Sequence, residues 1–139
     1  MLPSFEEKSV WVQLVSLVLV LGAYFTVSGI MLASGVRVLV PYVPVFMSAV
    51  ILLVVVLGLG HAVAAVMGKP ERRDERDRLI GWRAESNSSW LLAAGVFFAI
   101  TALVFQVDTV WVAHLLLASM FASEVLKLLL QLRYYRRGV

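Results

Sequence analysis

Apolar side chains fill four long runs of this chain, at 10–33, 45–67, 89–106 and 110–130, and none of the four has the one-sided spacing of an amphipathic helix. A membrane-crossing helix needs about 20 mostly apolar residues, and a helix that is apolar on all faces suits a lipid surround. The pattern predicts four transmembrane helices. The breaks between them differ in character. VRVLVPYVP joins the first pair, with Pro41 and Pro44 placed to stop the helix from continuing. VDT joins the second pair, where Asp108 or Thr109 is positioned to cap the fourth helix. So short a link makes helices three and four an antiparallel hairpin. The two hairpins are joined through RRDERDRLIGWRAESNSS, residues 72–89, the one densely charged stretch of the chain.

Composition narrows the setting. The chain has 139 residues, enough for a single domain. Its charged residues make up 15%, against about a quarter in soluble domains, and its mean hydropathy is +0.91. A soluble fold would lack a polar shell, so the lipid bilayer is the expected solvent. There is no cysteine, which excludes disulfides, thiolate metal sites and thiol redox chemistry. The first run is expected to be a retained span rather than a signal peptide. Glu6 and Glu7 make its leading segment acidic, the run is too long, and no Ala-x-Ala site follows it.

Placement of the basic residues predicts orientation. Lys8, Lys69, Arg72, Arg73, Arg76, Arg78, Arg83, Arg133, Arg136 and Arg137 all fall on one side of the four spans, with Arg37 on the other. The positive-inside rule then puts both termini and the central loop in the cytoplasm, for a multi-pass protein of the inner (cytoplasmic) membrane. Trp11, Trp82, Trp90, Tyr134 and Tyr135 would lie at the inner interface, and Tyr42, Phe46 and Trp111 at the outer. The fold expected is all-α: four spans, N-in and C-in, with a charged cytoplasmic helix over about 71–85 between the second and third.

In that charged helix Pro70 suits the first turn. Arg73 with Asp77, Asp74 with Arg78 and Glu75 with Arg78 have the spacing of helix ion pairs. Two roles fit: a solvated lead-in to span three, or a docking surface built on Asp74, Glu75, Arg76, Arg78 and Arg83. From 69 to 85 five acids face six bases. Nucleic-acid-binding and polyanion-binding segments carry a basic excess instead, so a cytoplasmic protein partner or a second copy is the expected contact, and nucleic acid is not.

The stretch DERDRLIGWRA, through Asp74, Glu75, Arg76, Ile80, Arg83 and Ala84, resembles the D-E-R-x-x-x-I-x-x-[KR]-A motif. That motif precedes a transmembrane hairpin in small prokaryotic membrane proteins of unknown function. The resemblance covers about 20 residues plus the hairpin. It implies the architecture and carries no activity with it.

Ionisable groups inside spans are functional candidates by default. His61 shares a face with Gly58, Ala64, Ala65 and Gly68, and Glu124 and Lys127 are spaced i,i+3 at a similar depth. With Gln13, Ser16 and Ser123 they predict a polar layer in the inner leaflet. His114 and Gln106, near Thr101, predict a second group in the outer leaflet. Haem held by the two histidines is disfavoured, because about ten residues of helix rise separate them in depth, roughly 15 Å, and no cofactor or metal is expected. Four spans in so short a chain resemble the small multidrug resistance transporters. Those carry an essential Glu in the first span, however, where this chain has no acid beyond Glu7. No catalytic motif is present. Small residues recur every four positions at Gly29 and Ala33, at Gly60, Ala64 and Gly68, at Gly95 and Ala99, and at Ala118 and Ala122. These stripes fit packing inside one bundle or between copies. The function expected is an interaction, assembly or regulatory module of the membrane, homo-oligomeric and not an enzyme. The alternative is a small channel or proton-coupled transporter working through Glu124, His61 and Lys127.

Overall fold

In a computed structural model of the protein, which describes residues 4–68 and 74–138, four α-helices follow one another: α1 (Phe5–Ala33), α2 (Tyr42–Met67), α3 (Glu75–Val104) and α4 (Thr109–Arg137). Each is long and apolar enough to cross a membrane, the architecture of a multi-pass membrane protein. The helices outrun their apolar cores. α1 has 29 residues, about 44 Å at about 1.5 Å per residue, against about 30 Å of hydrocarbon. The excess is polar and gathers at one end of the molecule. This terminal end holds the starts of α1 and α3 and the ends of α2 and α4. The opposite, turn end holds the α1–α2 and α3–α4 connections.

Local chemistry explains the boundaries. The Ser4 hydroxyl caps α1 by accepting from the Glu7 N–H (3.2 Å), and Glu6 and Glu7 occupy its first turn. α1 and α3 end in the same way, with the N–H groups of two residues past the helix folding back on its last carbonyls: Gly35 on Leu32 and Val36 on Met31, Gln106 on Leu103 and Val107 on Ala102. This ending needs a left-handed residue. α1 supplies Gly35 (φ 90°), whereas α3 uses Gln106 (φ 57°). A side chain in that region costs about 1–2 kcal/mol. Gln106→Gly is therefore expected to stabilise the protein by about 1 kcal/mol, seen as a higher thermal midpoint in detergent; an unchanged or lower midpoint would show that the Gln106 side chain offsets its strain elsewhere.

Three expectations about the boundaries change. Pro44 lies within the first turn of α2 rather than ahead of it, because an N–H is not required there. Asp108 stands at the N-cap of α4 but its carboxylate makes no capping bond; its carbonyl receives Trp111 and Val112 instead. The charged stretch is, from Glu75 onward, the first turns of α3 itself and continues into the apolar part without a break. The serines that follow cause no interruption, since Ser88 and Ser89 return their hydroxyls to the Glu85 and Ser86 carbonyls. Asp74 is the N-cap of this helix, paired reciprocally with Asp77 in a capping box. That capping role is why the expected Asp74–Arg78 pair does not form. Glu75 and Arg78 stay exposed and form no ion pair among the described residues, as a solvated pair of that kind gains little. Pro70 and the Arg73 end of the third pair lie outside the described residues.

The helices pack as a row, α2 beside α1, α1 beside α4, α4 beside α3, without α2 and α3 closing on each other. Apolar burial drives little association in lipid, so close backbone approach and hydrogen bonds matter more. The α3–α4 contact shows both. Ile80, Ala84, Ser88, Gly95 and Ala99 form its buried stripe, and the Ser123 hydroxyl donates to the Ser88 carbonyl (3.1 Å). α1 and α4 meet through Val10, Leu14, Leu128 and Leu132 near the terminal end, and through Leu32, with Tyr42 and Val110, near the turns. α2 buries only Tyr42, Ala49 and Ala64. The rest of this edge helix is half-buried, as at Phe46, Leu53 and Val56, or exposed.

Candidate functional site: a polar cleft at the terminal end

A cleft of about 300 Å³ lies between the first turns of α1 and α3 and the last turns of α4. Gln13 enters from α1, Lys127 and Gln131 from α4, and Asp77, Arg78 and Glu85 from α3. The Tyr135 hydroxyl donates to Asp77 Oδ1 (3.0 Å), and Arg76 Nη2 donates to the Tyr135 carbonyl (3.2 Å). These two bonds tie the start of α3 to the end of α4.

Lys127 holds the centre. Its ammonium pairs with Glu124 on its own helix and reaches Glu85 across the α3–α4 contact at 3.3 Å. The Lys127 side chain is 21% exposed and that of Glu85 63%, so the cross-helix pair ranks nearer a surface ion pair, about 1 kcal/mol or less, than a buried one. Among the described residues, no three acidic or histidine side chains converge as metal ligands.

His61 belongs to a separate arrangement that touches the cleft from behind. Its Nδ1 lies 2.8 Å from the Leu57 carbonyl, an oxygen that can only accept, so Nδ1 carries the proton. Nε2 lies 3.0 Å from the Ser9 hydroxyl, a hydrogen bond between α2 and α1. Gln13 Nε2 donates in turn to Ser9 Oγ (3.3 Å). A line of hydrogen bonds thus runs from the cleft through Gln13 and Ser9 to His61 on α2.

The polar layer predicted from the sequence is therefore divided. Gln13 and Lys127 line the cleft, Glu124 joins it through Lys127, and His61 joins it through Ser9. Ser123 stands apart, bonded to the Ser88 backbone as a helix tie. Ser9 and Glu85 were missed as partners. Ser9 lies one turn before Gln13 on the same face, and that spacing was a readable signal. Glu85 was hidden in the charged stretch, since only the hairpin register places it opposite Lys127.

The turn end repeats the histidine arrangement in a drier setting. His114 Nδ1–H donates to the Val110 carbonyl (2.7 Å), and the Tyr24 hydroxyl donates to Nε2 (3.2 Å). The ring lies parallel to Tyr24 at 6.0 Å and meets the Tyr42 ring edgewise at 4.8 Å. Three helices thus converge on one buried imidazole. Gln106 is not part of this group. It occupies the α3–α4 turn, exposed, where its backbone ends the helix.

The expected docking residues separate too. Asp74 is used in capping and Arg76 on the end of α4, while Glu75, Arg78 and Arg83 remain exposed beside Trp82, which is 73% exposed. What the arrangement can do chemically is bind, hydrogen-bond and pair charge. The comparisons with known proteins add no relative: no known protein family, curated protein or solved structure matches this chain.

Proposed function

We propose that this protein is an inner-membrane assembly or regulatory module, with both termini in the cytoplasm, that works as a homo-oligomer and not as an enzyme. The orientation rests on charge. Lys8, Arg76, Arg78, Arg83, Arg133, Arg136 and Arg137 belong to the terminal end and Arg37 to the turn end. The observation that carries the assembly reading is the unclosed row. α2 and α3 are free edges, and Gly58 on α2, like Gly22 and Gly29 on the outward side of α1, has open space where a side chain would be. Small residues left bare in lipid are the ones that allow a neighbouring helix to come close. The polar groups inside the spans support the same reading, because both histidines use both ring nitrogens in ties between neighbouring turns and helices. The exposed Glu75, Arg78, Arg83 and Trp82 then offer a charge-patterned face to another copy or to a cytoplasmic protein.

A second reading, proton-coupled transport or conduction, is favoured by one specific observation: the hydrogen-bonded line from the cleft through Gln13 and Ser9 to His61. Native mass spectrometry of the protein released from lipid nanodiscs separates the two. The assembly reading expects a defined oligomer of unmodified chains. A monomer, or a dimer carrying a small bound species, would overturn it in favour of transport.

A further inference from the structure

Beside α1, the last two turns of α4 form a second groove, of about 440 Å³, whose composition changes along its length. Leu129, Arg133 and Arg137 follow one another at four-residue steps on one face of α4, with Leu132 and Arg136 in the adjacent row and Trp11 facing them from α1. The deeper part of the groove is therefore apolar and the outer part cationic. Trp11 is 41% and Leu129 49% exposed there, so the floor is open to lipid.

The cations are not equivalent. Arg136 is occupied, lying over the Trp11 ring at 5.8 Å and pairing with Glu7 at 3.5 Å. Among the described residues, Arg133 and Arg137 have no acidic partner. One helical turn, about 5–6 Å, separates their positions, so both guanidiniums can reach a single phosphate, and guanidinium forks bind phosphate bidentately. The sequence of chemistry along the groove, apolar floor and then two unpaired guanidiniums, matches the order of a phospholipid, acyl chain and then phosphate. We infer that this groove is a binding site for an anionic phospholipid, its phosphate on Arg133 and Arg137 and the upper acyl chain against Trp11 and Leu129. Charge sets the preference. A zwitterionic headgroup would bring its own cation beside these arginines, whereas phosphatidylglycerol carries an uncompensated phosphate. The inference needs α4 to cross a membrane and does not depend on the assembly reading.

The test uses the full chain in nanodiscs containing equal amounts of phosphatidylglycerol and phosphatidylcholine, with lipid retention counted by native mass spectrometry. Two groove arginines predict a preference for phosphatidylglycerol of about 30-fold. R133Q/R137Q should reduce it to near parity while the helical circular dichroism spectrum stays unchanged. K8Q/R37Q removes the same charge outside the groove and should keep the preference. Equal retention of the two lipids by the unaltered protein would overturn the site, and so would an equal loss in K8Q/R37Q, which would assign the preference to bulk charge.

Discussion

Replacing Gly95 with alanine is expected to destabilise the protein more than alanine at any other glycine, by about 3 kcal/mol. The position lies in the middle of the α3–α4 contact. A Cβ built there would fall far inside van der Waals contact of the Ser119 side chain, and 3.6 Å from its Cα. The obstacle is one residue of the facing helix rather than the tip of a long side chain, so relief requires the two helices to separate. Separation would lengthen the Ser123 to Ser88 carbonyl bond and loosen the buried Ala84 and Ala99 contacts on either side. Gly60 offers a contrast. A methyl there would meet a single Val12 methyl group, so its cost should be smaller, about 1 kcal/mol. The measurement is reversible unfolding in mixed micelles for Gly95→Ala, Ser119→Gly and the double variant. Exchanging the two side chains restores one Cβ at the contact and should recover most of the loss. A double variant no more stable than Gly95→Ala would place the damage somewhere other than this contact.

His114→Ala is expected to cost a similar amount, about 3 kcal/mol, from a combination of terms. His114 is buried, with an exposure of 8%, and its ring touches Tyr24 of α1 and Tyr42 of α2 while belonging to α4. Its loss leaves a cavity enlarging the apolar pocket of about 200 Å³ already beside it, and it strands the Tyr24 hydroxyl. Tyr24→Phe removes the hydrogen bond alone and should cost about 1 kcal/mol. Once His114 is alanine, Tyr24→Phe should cost nothing further and should relieve the stranded hydroxyl. Thermal unfolding of the two single variants and the double variant checks this. If Tyr24→Phe proves as damaging as His114→Ala, the ring's packing contributes nothing and the hydrogen bond carries the site.

Much of the architecture was legible from local pattern. Four apolar runs became four helices because lipid accepts no unpaired backbone polar group, and an apolar run of sufficient length has the helix as its internal solution. The helix ends were less legible. Polarity marks where a chain leaves the hydrocarbon, not where its helix stops, so α3 and α4 continue well past their expected limits. Asp74 shows the same limit in one residue: its spacing to Arg78 suits an ion pair, and its place just before the helix makes it a cap instead.

For the site, the sequence singled out His61, His114, Glu124 and Lys127 as ionisable groups within its apolar runs, but it gave no means of choosing their partners. Depth along a helix follows from counting residues; azimuth relative to a neighbouring helix does not. Glu124 and Lys127 pair because they share one helix face, and that much is one-dimensional information. Ser9 with His61, Tyr24 with His114 and Glu85 with Lys127 are pairs between helices, decided by which helix lies beside which and in what register. The sequence by itself determined the solvent, the number of crossings and the end at which charge collects, because each is a sum over local side-chain transfer energies. Only the tertiary structure decided that the helices form an open row, that the polar layer divides into a cleft and a histidine tie, and that Gly95 and Ser119 meet. Those outcomes depend on close-range contacts between segments distant in the chain, and such contacts are additive in no single stretch of it.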